Sequence, residues 1–502
     1  GRPGAGPGAA GGSERNLLKE PCWQGSDLGH PLPDHPHAVS MALPRWRDVI
    51  AYEEHEPSCR SALQTIYPRF GLHPFLQELA SQVNSEGMDV WPFASKAAAQ
   101  AAQLHCQRTS PQSKLRLVDQ HTISCLCTDA AASPHAKAFW QHTGLGASSR
   151  QAAIALGREQ APSPDQGEQA RVLVRQRLAA IHHCAEELIS LVPAGMAALH
   201  AGLEAVQTLR PGRATLQLGF PYVDVLKQPQ VVFHGSELLS STELGDIAAA
   251  LDRLEPAAVI VELPSNPLLR CVDLPAVAEL AHARGIPLIA DDTIGTGINL
   301  EALPYADLIF TSLTKSFAGR GNVMAGCLLI SPNSQWTSTL LEIVAPRASL
   351  SDADAIALER NSRDVTERVP RLDANCLALA QKLEKHPAVK RVLHPKDCKN
   401  FQAIKKPGAG DGCLLSFELH AGERNAQRVF DALQICKGPS LGTSFSLVCP
   451  YAQLAHYNEL NWAEACGVPA HLLRVSVGLE EPEELWNRFQ TALDQATASL
   501  KV

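Results

Sequence analysis

The sequence contains no apolar run long enough to cross a membrane, so a soluble protein is expected. It has no strong charge imbalance either. A net charge of −8 over 502 residues points to neither nucleic acid nor an anionic membrane surface as a partner. Cysteine pairs at metal-ligand spacing are missing: Cys125-Leu126-Cys127 is the tightest grouping among 14 cysteines, and no second pair completes a site. No metal is therefore expected. The thiols read as reduced and mostly buried, in a reducing compartment. The cytoplasm is the expected location, with an organelle as the alternative. There is no internal repeat. The first dozen residues are almost all Gly, Ala and Pro and lack the apolar core of a secretory signal. Such a stretch cannot bury enough surface to fold, and a disordered tail is expected over 1–20. The start at Gly1 reads as trimming, and a piece of an organelle-targeting peptide is the second reading of the tail.

What the sequence does contain is a pair of apolar runs of strand length, Pro287-Leu288-Ile289-Ala290 and Leu308-Ile309-Phe310, each ending in polar residues. In an open α/β sheet such ends line the ligand crevice. The first run leads into Asp291-Asp292-Thr293 and the second into Thr311-Ser312-Leu313-Thr314-Lys315. A desolvated lysine titrates low and attacks carbonyls. Taken alone, Ser-x-Thr-Lys reads sooner as a solvated loop lysine than as a catalytic one. The acid 24 positions earlier changes that reading, because a carboxylate at a neighbouring strand end can pair with a protonated pyridine nitrogen. A lysine that bonds an aldehyde, together with such an acid, is the pattern of pyridoxal phosphate.

With the glycines that follow (Gly319, Gly321 and Gly326), this segment resembles the cofactor segment of the Cys/Met-metabolism family of pyridoxal-phosphate enzymes. Within that family it is similar to the long, fungal-type cystathionine γ-synthase branch. The likeness runs from about position 35 to the C-terminus. It includes Pro36-His37-Ala38-Val39-Ser40, Trp46-Arg47-Asp48-Val49-Ile50 and Tyr67-Pro68-Arg69-Phe70. The resemblance implies an α/β, aspartate-aminotransferase-like (fold type I) enzyme with a large mixed-sheet domain and a smaller C-terminal α/β domain. The expected division is a tail over 1–20, an N-terminal region over 21–150, the cofactor-binding domain over 151–345 and the C-terminal domain over 346–502.

The same resemblance assigns roles. Lys315 carries the cofactor and then serves as a mobile base, while Asp291 keeps the ring nitrogen protonated. Gly195 and Met196, where a strand end turns into a helix, cradle the phosphate through backbone N–H groups. Ser312 and Thr314 also bind the cofactor. Tyr222 covers the pyridine face and can pass protons, and Asn266 bonds the phenolic oxygen. Arg474 clamps the substrate carboxylate, with Ser440 as its companion. A neighbouring subunit's phosphate is reached by Arg150, preferred here although Ser148 stands where the family has tyrosine, or by Tyr67 and Arg69, which have the family's Tyr-x-Arg spacing. Each residue also has a plain structural reading: a surface arginine at 150, packing at Gly195-Met196, a core tyrosine at 222, Asn-Pro turn chemistry at 266 and an edge-strand arginine at 474.

The implied activity is a transferase of amino-acid metabolism. It performs γ-replacement on an O-activated homoserine with a thiol such as cysteine, giving a thioether amino acid. A γ-lyase releasing a 2-oxo acid and ammonia is one alternative, and a cofactor-free scaffold is another. The partners implied are small amino-acid substrates and further copies of the chain, in a homodimer or homotetramer. Three positions depart from the family's pattern: Asp292 stands where asparagine is usual, Thr311 where many relatives have histidine, and Phe445 where an acidic residue is frequent. Phe445 is expected to bear on which acceptor or leaving group fits.

Overall fold

Seven short strands build the central sheet. They are β1 (Ile189–Val192), β2 (Thr215–Leu218), β3 (Ser236–Leu239), β4 (Val259–Glu262), β5 (Leu288–Asp291), β6 (Leu308–Ser312) and β7 (Gly326–Ile330). In this computed structural model, which describes residues 14–84 and 87–500, the strands lie in the order β1-β7-β6-β5-β4-β2-β3. All run parallel except β7, which is antiparallel to both β6 and β1. The sheet is therefore mixed. Strand β7 follows β6 through the helix-free segment 313–325 and runs back alongside it. Strands β4, β5 and β7 are buried along their whole length, as strands covered on both faces must be. Leu199 and Leu203 of the helix Gly195–Leu209 and Val277 of the helix Leu274–His282 share their core.

Asp291 lies opposite Phe310 in the β5–β6 register, so the C-terminal ends of the two strands open on the same side. That places Asp291 and the loop carrying Lys315 at one crevice. A second, five-stranded sheet follows, in the order Val389–Leu393, Leu414–Leu419, Leu473–Ser476, Leu447–Pro450, Cys436–Lys437. Leu379 and Leu383 of the helix Val365–Glu384, and Phe489 of the C-terminal helix, pack with it.

The stretch from 21 to 150 divides between two cores. Met41, Trp46, Val49 and Tyr67 are buried with Phe417, Val448 and Phe489 of the C-terminal sheet and helix. Residues 89–128 form a separate three-stranded sheet, Asp89–Phe93, Ile123–Thr128 and Leu115–Gln120, with Leu79, Val90 and Ile123 in a small core. Of the expected tail, residues 1–13 lie outside the described residues. Leu17, however, is buried with Cys22, Cys436 and Phe445, so the later part of the expected tail is packed into a core. The polar stretch 157–168 is loop only as far as Ser163. There a capping box, with Ser163 and Gln166 each accepting the other's backbone N–H, starts the helix Pro164–His182. The helical stretch after Asp352 ends at Asn361, and a second helix starts at Val365.

Candidate active site

A cavity of about 350 Å³ opens where the crevice of the large sheet meets the C-terminal sheet and the segment 52–70. Lys315, three residues past β6, is buried in it. Its ammonium donates to the Tyr67 hydroxyl at 2.6 Å and to Ser440 Oγ at 3.4 Å. Burial pulls the amine's pKa below its usual value, and the Arg69 and Arg474 charges add to this against the contrary pull of Tyr67. A lowered pKa gives a lysine the free-base population that addition to an aldehyde needs.

Asp291 ends β5 beside it and accepts the Thr293 N–H at 3.0 Å. Burial raises its carboxyl to about 6, although Thr293 and the Lys315 charge pull the other way. Glu262, opposite Asp291 on β4, accepts the Tyr222 N–H at 2.8 Å. Burial and the adjacent Asp291 push Glu262 well above the ordinary carboxylate range. Behind this pair lies Asp292, which accepts the Thr311 hydroxyl at 2.5 Å. Two of the departures from the family's pattern, an acid for an amide and a hydroxyl for an imidazole, are thus in contact with each other.

Tyr67 and Arg69 enter the cavity of their own chain. Arg69 adopts a left-handed backbone (φ 77°), a conformation costly for a non-glycine residue and found where surrounding structure enforces it. Its guanidinium donates to Asp224 at 2.5 Å and to the Tyr222 hydroxyl at 3.1 Å, and its Nε is buried without a partner. Asp224 also accepts from His142 Nδ1 at 2.9 Å. Burial alone would raise the Asp224 carboxyl, but Arg69 and His142 outweigh it and hold the group at about 2. Asp224, His142 and Glu262 carried no expected role. The available signal was the acid two positions after Tyr222, matching in spacing the arginine two positions after Tyr67.

Gly195 and Met196 begin a fifteen-residue helix whose N-cap, Ala194, supplies no side-chain acceptor. A Cβ at 195 would stand 2.9 Å from Ser312 Cβ, so only glycine lets the helix end and Ser312 approach so closely. Uncapped N–H groups at such an end attract an anion. Arg474 sits on the central strand of the C-terminal sheet, not on an edge. It donates to the Ser440 carbonyl at 2.8 Å and to Asn266 Oδ1 at 3.3 Å, while its Nε is buried and unpartnered. A buried cation with a donor to spare fits an incoming carboxylate.

Arg150, expected to reach a neighbouring subunit's phosphate, does not line the cavity of its own chain: it pairs with Asp354 at 3.4 Å and borders a smaller neighbouring cavity, because the capped helix Ser149–Ala155 turns it towards the start of the helix Asp352–Asn361. Two other expectations are corrected. Thr314 also faces away, its hydroxyl accepting the Ala325 N–H at 3.0 Å and so closing the 314–325 loop. Phe445 is buried with Leu17, Leu32 and Leu447, away from the cavity lining.

The donor set matches one group throughout. An anion site at a helix end, an acid and an amine on adjacent strand ends, and an aromatic ring at Tyr222 fit a phosphorylated, aldehyde-bearing pyridine. The arrangement is that of a fold type I pyridoxal-phosphate enzyme. The profile of the Cys/Met metabolism PLP-dependent enzymes matches residues 166–494, and that of the fungal trans-sulfuration enzyme N-terminal domain matches 73–148. The chain belongs to the Cys/Met metabolism family of PLP-dependent enzymes. It is 31% identical to a cystathionine gamma-synthase of Neurospora crassa, with 94% of this chain and 98% of the relative covered. It is equally 31% identical to an L-2-amino-4-chloropent-4-enoate dechlorinase/desaturase of Streptantibioticus cattleyicolor, over 93% of this chain and 98% of that one. Among solved structures it is similar to a cystathionine gamma synthase of Xanthomonas oryzae pv. oryzae, in complex with aminoacrylate and cysteine (TM-score 0.60, 27% identity, 68% of this chain and 89% of that one).

Proposed function

We propose that the chain catalyses γ-replacement: an O-activated homoserine exchanges its γ-oxygen substituent for the sulfur of a thiol such as cysteine, yielding a thioether amino acid and the released acid. The observation that carries this reading is the meeting of Lys315, Asp291 and Arg474 in one cavity. When bound, pyridoxal phosphate supplies an electron sink for the pair released at Cα. The chain's residues do the rest. Gly195 and Met196 N–H groups, Ser312 and the Arg69 guanidinium hold the phosphate. Asp291 keeps a proton on the ring nitrogen, and Tyr222 packs on the ring. Arg474, backed by Ser440 and Asn266, fixes the substrate carboxylate and so orients the Cα–H bond. Lys315 would take the proton from Cα and return it at the end of the cycle. Its pKa, lowered by burial, favours the free amine that such an exchange needs.

Elimination without capture is the second reading, favoured by the similarity to a dechlorinase/desaturase. Incubating the purified holoenzyme with O-acetylhomoserine or O-phosphohomoserine, with and without cysteine, separates the two. Replacement predicts a thioether product only with cysteine. Equal 2-oxo acid in both tubes, with no thioether, would overturn it. A reducing compartment, the cytoplasm, suits a chain whose 14 cysteines are unpaired.

A further inference from the structure

Two cysteines outside the cavity meet at the junction of the large sheet and the C-terminal region. Cys271 follows the turn that carries Asn266, and Cys398 leads into the short helix Lys399–Ala403. Cys398 Sγ lies 3.5 Å from the Cys271 backbone nitrogen and 3.9 Å from the Cys271 carbonyl oxygen. Asn400 Nδ2 donates to that same carbonyl at 3.1 Å, so the two segments are held in register. Cys271 is buried and Cys398 is partly exposed. Cys398 is therefore the more solvent-exposed residue of the two.

The chemistry of the pair is asymmetric. The Cys271 thiol, followed by the backbone N–H groups of Cys271, Phe401 and Asn400, holds the Cys398 thiol down at about 5 against the burial that raises it. Cys271 is displaced the opposite way, well above the usual thiol range, by Cys398 and by burial. An accessible thiolate beside a protonated thiol is the arrangement in which one sulfur attacks an oxidant and the other resolves the product. A second pair supplies an internal comparison. The Cys22 N–H lies 3.4 Å from Cys436 Sγ, but both residues are fully buried. Neither sulfur there can meet a solute.

We propose that Cys398 and Cys271 form a peroxide-reactive dithiol site, which closes to a disulfide linking the Asn266 turn to the C-terminal region. The Cys398 thiolate attacks one oxygen of hydrogen peroxide, giving a sulfenic acid and releasing hydroxide, which is protonated to water. The Cys271 thiol then attacks the Cys398 sulfur, the S–S bond forms, and the second oxygen leaves as water. Two thiols are oxidised and one peroxide is reduced to two waters. Because Asn266 accepts from Arg474, the bond tethers a residue that positions the proposed carboxylate clamp. The site does not depend on which thiol or homoserine ester the enzyme uses.

The test is peroxide titration of the full-length holoenzyme, read by thiol counting and by peptide mapping under non-reducing conditions. The expected result is loss of two thiols per chain, a cross-linked Cys271–Cys398 peptide pair, and full reversal by dithiothreitol. Cys398→Ser should abolish the cross-link, whereas Cys466→Ser, which removes another partly exposed thiol, should leave it unchanged. The oxidised form should show a shifted KM for its amino-acid substrate, restored on reduction. Irreversible oxidation of Cys398 without cross-linking, or formation of the Cys22–Cys436 link instead, would overturn the proposal. An intact cross-link with no change in KM would overturn its coupling to Asn266.

Discussion

Replacing Asp292 with asparagine should make the protein gain stability as pH rises, relative to its parent. Asp292 is 1% exposed and accepts a hydrogen bond from Thr311. Burial, reinforced by the neighbouring Asp291 and opposed by Thr311, pushes its carboxyl from the ordinary 3.8 to about 7. A raised acid holds its proton in the folded chain and has lost it in the unfolded one. The associated stability is fully present below the unfolded value and is lost as pH climbs to the folded value. Each pH unit in that window costs about 1.4 kcal/mol, so the step from pH 5 to pH 7 corresponds to at most about 3 kcal/mol. An amide carries no such charge, although its NH₂ group must find a partner in the same buried space at a cost of about 1–3 kcal/mol. The Asp292→Asn protein should therefore be less stable than the parent at pH 5 and equal or more stable at pH 8, a swing of about 2–3 kcal/mol. Urea unfolding followed by tryptophan fluorescence at both pH values measures this. A stability difference that is the same at pH 5 and pH 8 would refute the reasoning.

Further outcomes test the rest of the site. Arg474→Ala should raise KM for the amino-acid substrate by about ten- to hundredfold, the worth of a charge-assisted hydrogen bond, while leaving cofactor content unchanged. Since Tyr67 and Arg69 lie in the cavity of their own chain, co-expressed Lys315→Ala and Arg69→Gln chains should form hybrids with no intact site. Recovery of tight cofactor binding in about half the sites of such hybrids would place the pair in the neighbour's cavity instead. Phe445→Ala should lower stability by about 3 kcal/mol and leave the ratio of thioether to oxo acid unaltered, because the ring packs against Leu17 and Leu447.

How much of this was legible in the sequence follows from the range of the interactions. The β5 and β6 strands, with Asp291 and Lys315 beyond them, could be read locally because an apolar run and its polar end are neighbours in the chain. Strand burial and the crevice rule then suffice. The Arg69–Asp224–His142 network could not, since its members come from 155 and 82 positions apart and meet only once segment 38–70 docks on the C-terminal core. Arg150 shows the same limit from the other side. Its local context resembles that of a phosphate-binding arginine, and nothing in that context shows its pairing with Asp354, 204 positions away. Thr314 and Phe445 depended on side-chain direction, which neighbouring residues on a loop do not determine. Leu17 was hidden by the composition of the stretch before it.

The covalent attachment at position 315 is the most direct test of the whole account. The protein should be treated with borohydride in the presence of pyridoxal phosphate, digested and mapped by mass spectrometry. A phosphopyridoxyl group on Lys315, together with a visible-range absorption band that is missing from Lys315→Ala, is the predicted result. Label on another cavity lysine such as Lys137 or Lys227, or no label at all, would contradict it.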